Sequence, residues 1–249
     1  MIVLKSSEEI QIMRQAGRIV AEVLETLPGI AKPGVTTAEL DQAAKALIEK
    51  RGGRPTFKGY RGFPGNICTC VNYELVHGIP SSKRRLKDGD ILSLDVGVTY
   101  KGFVGDAGTT VAIGEVSPVA LKLMEVTEAA LYAGIAQARA GNRAGDVSAA
   151  IQQAVESQGF SVIREYTGHG VGRQMHEEPQ VPNFGRAGRG IGLKPGMTFA
   201  LEPMVAAGDW HTHVLDDGWT VIMADKSLSA YFEHTVAITD GEPLILTQL

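Results

Sequence analysis

Cysteine is nearly missing from this 249-residue chain, which holds only Cys68 and Cys70. Two thiols so close together build no disulfide framework, and with no second pair they give no Cys-based zinc site. A reducing cytoplasm is the expected compartment. A basic surplus is also absent: 24 Lys and Arg against 28 Asp and Glu leave a net charge of −4, which removes the usual footing for nucleic-acid binding. No apolar run approaches the ~20 residues of a membrane span. The first ten residues, MIVLKSSEEI, have too short an apolar start for a secretory signal. No polar or Pro-rich stretch marks a domain boundary and no heptads call for a partner, so one domain over 1–249, working as a monomer, is expected. What is present is 44% hydrophobic and 21% charged residue, the balance of a globular protein with a real core. The 30 glycines gather in short clusters, such as 59–66 and 185–192, that read as loops between strands.

The sequence repeats its plan. Ser6 and Glu9 have capping-box spacing before apolar positions at Ile10, Met13, Val20, Leu24 and Leu27, predicting a helix that ends near Pro28-Gly29. Thr36 and Glu39 repeat the signal before Leu40, Ala44, Leu47 and Ile48, and a second helix stops at Gly52-Gly53. A long helix over about 118–139 and another carrying Val147, Ile151 and Val155 repeat the pair. Gly34 and Gly141, Gly52 and Gly159, Gly89 and Gly196, and Asp95 and Glu202 all stand 107 residues apart (141 − 34). Helix pairs followed by strands, twice, predict an α+β fold of two related halves, roughly 6–116 and 117–249. A site between them would draw one carboxylate from each strand of the pair ILSLDV and TFALEP.

The chemistry-bearing residues fall on these strands and their loops. DVGVTYKGFVGD (95–106) reads as two strands joined at Lys101-Gly102, a hairpin that can bring Asp95 and Asp106 together across its ladder. Like charges held close are unfavourable unless a cation joins them. Taken alone, the pair fits two exposed strand ends equally well. His169 sits among Gly168, Gly170 and Gly172, with His176 seven residues on, a spacing that excludes an HExxH helix. Glu202 and Glu233 lie in apolar, strand-like surroundings. Each is weak evidence, but four carboxylates and one histidine suit a pair of hard or borderline divalent ions. His77, in a His-x-x-Pro sequence repeated at His176–Pro179, reads as the counterpart of His176 at an offset of 99 (176 − 77).

Read in order, HGIP (77–80), DVGVTYKGFVGD (95–106), GHGVGRQMHEEP (168–179), ALEP (200–203) and SLSAYFEHT (227–235) resemble the type I methionine aminopeptidases of the pita-bread fold. DGWTV (217–221) adds to the likeness, which covers essentially the whole chain. The resemblance implies two divalent ions, of Co, Mn, Fe or Zn. Asp95 would serve one ion, His169 and Glu202 the other, and Asp106 and Glu233 would bridge both. It implies that His77 and His176 contact the scissile peptide, and that Tyr60, Phe63, Cys68, Tyr166 and Trp219 line a pocket for the methionine side chain. The implied substrates are nascent polypeptide N-termini with a small second residue, and work at the ribosome would suit that activity. Two ions roughly 3.5–4 Å apart acidify water and polarise a carbonyl. Glu202 is the expected proton shuttle. Met175, Tyr231 and Phe57 depart from the usual family residues, which bears on pocket shape and not on ligation. Prolidases and proline-specific aminopeptidases are the nearest alternative but generally carry an extra N-terminal domain. Type II methionine aminopeptidases carry an insertion for which there is no room, and a metal-free binding protein would have lost ligands that are all present.

Overall fold

Reciprocal side-chain caps set where the first two helices begin. In the structure, a computed structural model that describes residues 2–249, α1 runs Ser7–Ile30 and α2 runs Thr37–Lys50. Ser6 Oγ accepts from Glu9 N–H at 3.3 Å, and the Glu9 carboxylate accepts from Ser6 N–H at 2.9 Å. Thr36 and Glu39 do the same for α2. Helix α1 ends at Ile30, near Pro28-Gly29 as the sequence pattern suggested, and holds Pro28 inside its last turn. A proline in the last turn removes one hydrogen bond only, and Ala31 N–H still closes on Leu27 O at 2.9 Å. The strands of the first half are β1 (Arg54–Pro55), β2 (Cys68–Val71), β3 (Glu74–Val76), β4 (Ile91–Tyr100) and β5 (Phe103–Ala112). β4 pairs antiparallel with β5 along one edge and with β1 and β2 along the other. Lys101 and Gly102 both have positive φ, 47° and 81°, the two-residue turn whose twist suits a hairpin.

The second half repeats this with α3 (Pro118–Gln137), α4 (Ala144–Glu156), β6 (Ser161–Val162), β7 (Thr167–Gly170), β8 (Glu177–Pro182), β9 (Thr198–Leu201) and β10 (Met204–Ala206). A hairpin of β11 (Thr212–Val214) and β12 (Val221–Met223) pairs with β3, and β13 (Ser229–Tyr231), β14 (His234–Ala237) and β15 (Leu244–Ile245) finish the chain. The 107-residue offset persists in detail. The bridge Thr36–Arg85 has its counterpart in Arg143–Gly192. Arg143 cannot cap α4 with a hydroxyl, but the Asp146 carboxylate still accepts from its N–H at 2.7 Å. β2 and β7 are related by 99 residues (167 − 68), the offset between His77 and His176.

Alternation along the strands separates core from site. On β4, Leu92, Leu94, Val96 and Val98 pack under α1 and α2 with Val20, Leu40 and Ile48, which turns Ser93, Asp95 and Gly97 to the opposite face. On β9, Phe199 and Leu201 join Leu123, Leu131 and Ile151 of α3 and α4. The halves meet at a seam. Gly108 of β5 and Glu233 exchange backbone hydrogen bonds at 3.3 and 2.9 Å. Thr235 Oγ1 accepts from Asp106 N–H at 3.0 Å and donates to Asp106 O at 2.7 Å. Thr110 Oγ1 clasps Tyr231 in the same way, donating to its carbonyl at 2.8 Å and accepting from its N–H at 3.1 Å.

No helix among the described residues is long and apolar enough to cross a membrane. The packing of α1 on β5 depends on Gly105, where a Cβ would lie 2.6 Å from Gly17 N. Backbone cannot swing away as a side chain does. Gly105→Ala is expected to destabilise the fold by about 1–3 kcal/mol, read as a fall in the thermal midpoint.

Candidate metal centre and substrate cavity

The predicted acidic residues converge from both halves. In the hairpin ladder Asp95 stands opposite Gly108, and Asp106 opposite Gly97. The two aspartates are therefore diagonal neighbours on one face, offset by two positions, and not directly opposed. That spacing, wider than a direct pair, leaves space between the carboxylates. Asp95 also faces Cys68 of β2 across the ladder. His169 lies on β7, Glu202 directly follows β9, and Glu233 directly precedes β14. Because β14 pairs with β9 in the register His234–Leu201, the next step of the ladder sets Glu233 beside Glu202. Asp106, His169 and Glu233 each offer one ligand atom, all within 4.8 Å of one another. His169 Nε2 lies 3.8 Å from Asp106 Oδ2 and 3.5 Å from Glu202 Oε1. Its Nδ1 is 2.9 Å from Gly170 O. A carbonyl only accepts, so Nδ1 carries the ring proton and Nε2 presents its lone pair to the carboxylates.

A cavity of about 210 Å³ opens over these groups. It is lined by all five predicted ligands, by His77 and His176, and by Tyr60, Phe63, Cys68, Tyr166 and Trp219. Phe57 and Met175 line it too, whereas Tyr231 packs behind the seam, its ring against the Cα of Gly108. Arg61, Val76, Thr167 and Met204 also reach the cavity and carried no sequence signal beyond ordinary loop or strand character. His77 directly follows β3 with φ at 59°, a left-handed conformation uncommon outside glycine, with asparagine, aspartate and histidine the more frequent exceptions. Its ring meets Tyr166 and Trp219 edge-on at 6.1 and 6.2 Å. His176 is carried on the loop between β7 and β8, with its ring centroid 4.2 Å from that of His169. The Lys5–Glu177 ion pair, 2.6 Å long and almost wholly buried, fixes this loop to the N-terminal segment, and Glu177 also accepts from Gln174 N–H at 3.1 Å.

The carboxylates are held where their charge is poorly solvated. Asp106 and Glu233 are buried, while Asp95 and Glu202 keep limited exposure on the cavity lining. Burial raises Asp106 to about 7, partly offset by the adjacent Glu233 carboxyl. Burial, then the neighbouring Asp106, raises Asp95 and Glu233 well above the usual carboxylate range, and Glu202 rises for the same two reasons. Burial lowers His169 to about 4, helped by His176. Burial also keeps the Cys68 thiol protonated, so it lines the cavity as an apolar group.

The donor set fits a metal. Asp95 Oδ1, Asp106 Oδ1 and Glu233 Oε1 are buried with no hydrogen-bond partner, a costly state that a cation at these oxygens relieves. These raised carboxyls bind more protons in the metal-free folded chain than in the unfolded one between about pH 4 and 7. Their contribution to stability therefore falls as pH rises through that window. Divalent ions displace those protons and reverse the loss. The gap in thermal midpoint between metal-loaded and chelator-treated protein should widen from about pH 5 to about pH 7.5. A gap that is constant or narrows over that range would overturn this account of the site.

Comparison with known proteins agrees with this geometry. The profile of metallopeptidase family M24 matches residues 11–240. Methionine aminopeptidase of Clostridium acetobutylicum is 51% identical over 247 residues, 99% of each chain. Methionine aminopeptidase 1 of Bacillus subtilis is 51% identical over 249 residues, the whole of both. The crystal structure of methionine aminopeptidase from Thermotoga maritima superposes with a TM-score of 0.99 at 44% identity, covering all of both chains. Prolidase from Pyrococcus furiosus, at 22% identity and a TM-score of 0.81, shares the fold over 99% of this chain and 66% of its own. The architecture is thus the pita-bread fold, and the chain belongs to the M24 metallopeptidases and, among them, to the methionine aminopeptidases.

Proposed function

We infer that the protein removes the initiator methionine from polypeptide N-termini by divalent-metal-dependent hydrolysis of the first peptide bond. The carrying observation is one cavity that joins partnerless buried carboxylate oxygens to an apolar lining of Phe57, Phe63, Cys68, Met175 and Trp219. The first holds cations, and the second suits an unbranched thioether side chain. Four ionised carboxylates carry the charge that two divalent ions balance, which favours two ions over one. In this reading Asp95 would hold one ion, His169 and Glu202 would hold the other, and Asp106 and Glu233 would serve both.

When bound, the ions would supply Lewis acidity, easing deprotonation of water and polarising the scissile carbonyl. The protein's own residues do the rest. Glu202 holds the proton taken from the attacking water and returns it to the departing amide nitrogen. Burial and the nearby His176 lower His77 to about 4, so at neutral pH it is an uncharged donor. Burial, then the Arg61 guanidinium, lowers His176. Neutral N–H groups at both rings can donate to the carbonyl oxygen as negative charge gathers there. The His77 ring, edge-on to Tyr166 and Trp219, joins the pocket wall to the reacting bond. Within this reading residues 1–249 act as one catalytic domain, a cytoplasmic monomer meeting chains as they leave the ribosome. Gel filtration and ribosome co-sedimentation test those last points.

With added Co²⁺, Mn²⁺ or Fe²⁺ the purified protein should release methionine from Met-Gly peptides and leave Met-Leu peptides intact. No metal-dependent release would sink the assignment, and faster cleavage of Xaa-Pro peptides would move it to a proline-specific peptidase. Glu202→Gln is expected to lower kcat by about 10²–10⁴-fold. His77→Ala should lower it by about 10²–10³-fold with metal content unchanged, measured by metal analysis beside the kinetics.

A further inference from the structure

The family resemblance implied a place for Tyr60 on the pocket lining, where it stands, and its hydroxyl lies 2.8 Å from Nδ1 of His176. The rings are stacked, 5.5 Å between centroids and 28° between planes. The turn that presents Tyr60 is tied down at several points. Tyr60 N–H donates to Phe57 O at 2.9 Å, Phe63 N–H to Tyr60 O at 2.9 Å, and Gly59 N–H to Phe63 O at 2.9 Å. Three of the turn's residues are left-handed, Gly59, Arg61 and Gly62, with φ of 83°, 49° and 93°. The contact thus joins a fixed turn of the first half to the histidine loop of the second, which the Lys5–Glu177 pair anchors from its other side.

We propose that Tyr60 is a positioning residue for His176: its hydroxyl donates to Nδ1 and holds the neutral ring in the tautomer with the proton on Nε2. The direction follows from the partners. A phenol is the stronger donor and an unprotonated imidazole nitrogen the stronger acceptor, so the proton between them belongs to oxygen. Nε2 then carries the only ring N–H, the one His176 offers to the reacting carbonyl. His169 has the reverse arrangement, since the Gly170 carbonyl takes its Nδ1–H and leaves an Nε2 lone pair facing Asp106 and Glu202. Two rings 4.2 Å apart are thereby held in opposite tautomers. One presents a lone pair to a cation and the other a proton to an oxyanion. The catalytic meaning of this assignment rests on the function inferred above; the tautomer itself does not.

The test is long-range ¹H–¹⁵N correlation of histidine-labelled full-length protein, metal-free and Zn²⁺-loaded, at about pH 8 where the imidazoles are neutral. His176→Asn identifies the His176 signals. Parent protein should show Nε2–H for His176 and Nδ1–H for His169. In Tyr60→Phe the His176 signals should move toward a mixture of tautomers while those of His169 stay. In parallel, kcat on Met-Gly peptides should fall about five- to ten-fold with KM nearly unchanged, and Tyr60→Phe should add nothing further in a His176→Ala background. Nδ1–H at His176 in the parent, or the same His176 pattern with and without the Tyr60 hydroxyl, overturns the proposal. The stated tautomers in a protein that releases no methionine would count against the catalytic reading alone.

Discussion

Four carboxyl groups share one poorly hydrated seam, and much of the surrounding construction keeps them there. Buried carboxylates repel one another and lose hydration, so an unconstrained chain would turn them toward water. The ladder between β4 and β5 denies that to Asp95 and Asp106 by fixing which face they take. Thr235 clamps both backbone groups of Asp106 to the opposing half, and the Gly108–Glu233 bridge holds the seam at its centre. Helix pairs behind each sheet provide the apolar mass against which these strands cannot rotate. The raised proton affinities of the carboxyls and their partnerless oxygens are two expressions of the same strain. Binding of cations converts it into affinity.

Duplication supplies symmetry that the chemistry uses only in part. Asp95 and Glu202 are counterparts on equivalent strands, and His77 and His176 are counterparts on equivalent loops. The relation between β2 and β7 that pairs those histidines also sets Cys70 in the place of His169 (169 − 70 = 99). Cys70 is buried, its thiol kept protonated by burial, and its sulfur accepts from Gly78 N–H at 3.2 Å. One half places a ligand candidate at this position, and the other uses it to hold the turn beside His77. A near-twofold scaffold thereby carries a site with a single histidine among its ligand candidates.

Periodicity and offset made much of this legible in the sequence. The capping boxes at Ser6 and Thr36 and the 107-residue repeat give the helix pairs and their following strands. The acidic residues stand out because charge is rare in runs such as ILSLDV and ALEP. Less visible were contacts between distant positions with no pattern of their own. Tyr60 and His176 are 116 residues apart, Lys5 and Glu177 are 172 apart, and neither pair leaves a local mark. The two-residue offset of Asp95 and Asp106 follows from the turn at Lys101-Gly102, which composition locates but whose register only the ladder shows. Val76, Thr167 and Met204 reach the cavity with side chains that any buried strand could carry.

The left-handed backbone at His77 has a consequence for how this site varies. Glycine adopts such a φ freely, and asparagine, aspartate and histidine are the other residues enriched there; of these only histidine carries an imidazole. Drift at this position is therefore confined: glycine, asparagine or aspartate would keep the main chain and discard the ring, and most other residues would strain the one and lose the other. The neighbouring position is restricted as well, since a Cβ at Gly78 would fall 2.2 Å from Thr69 O. Histidine is thus the one residue that meets both demands at position 77, a left-handed main chain and an imidazole on the cavity wall.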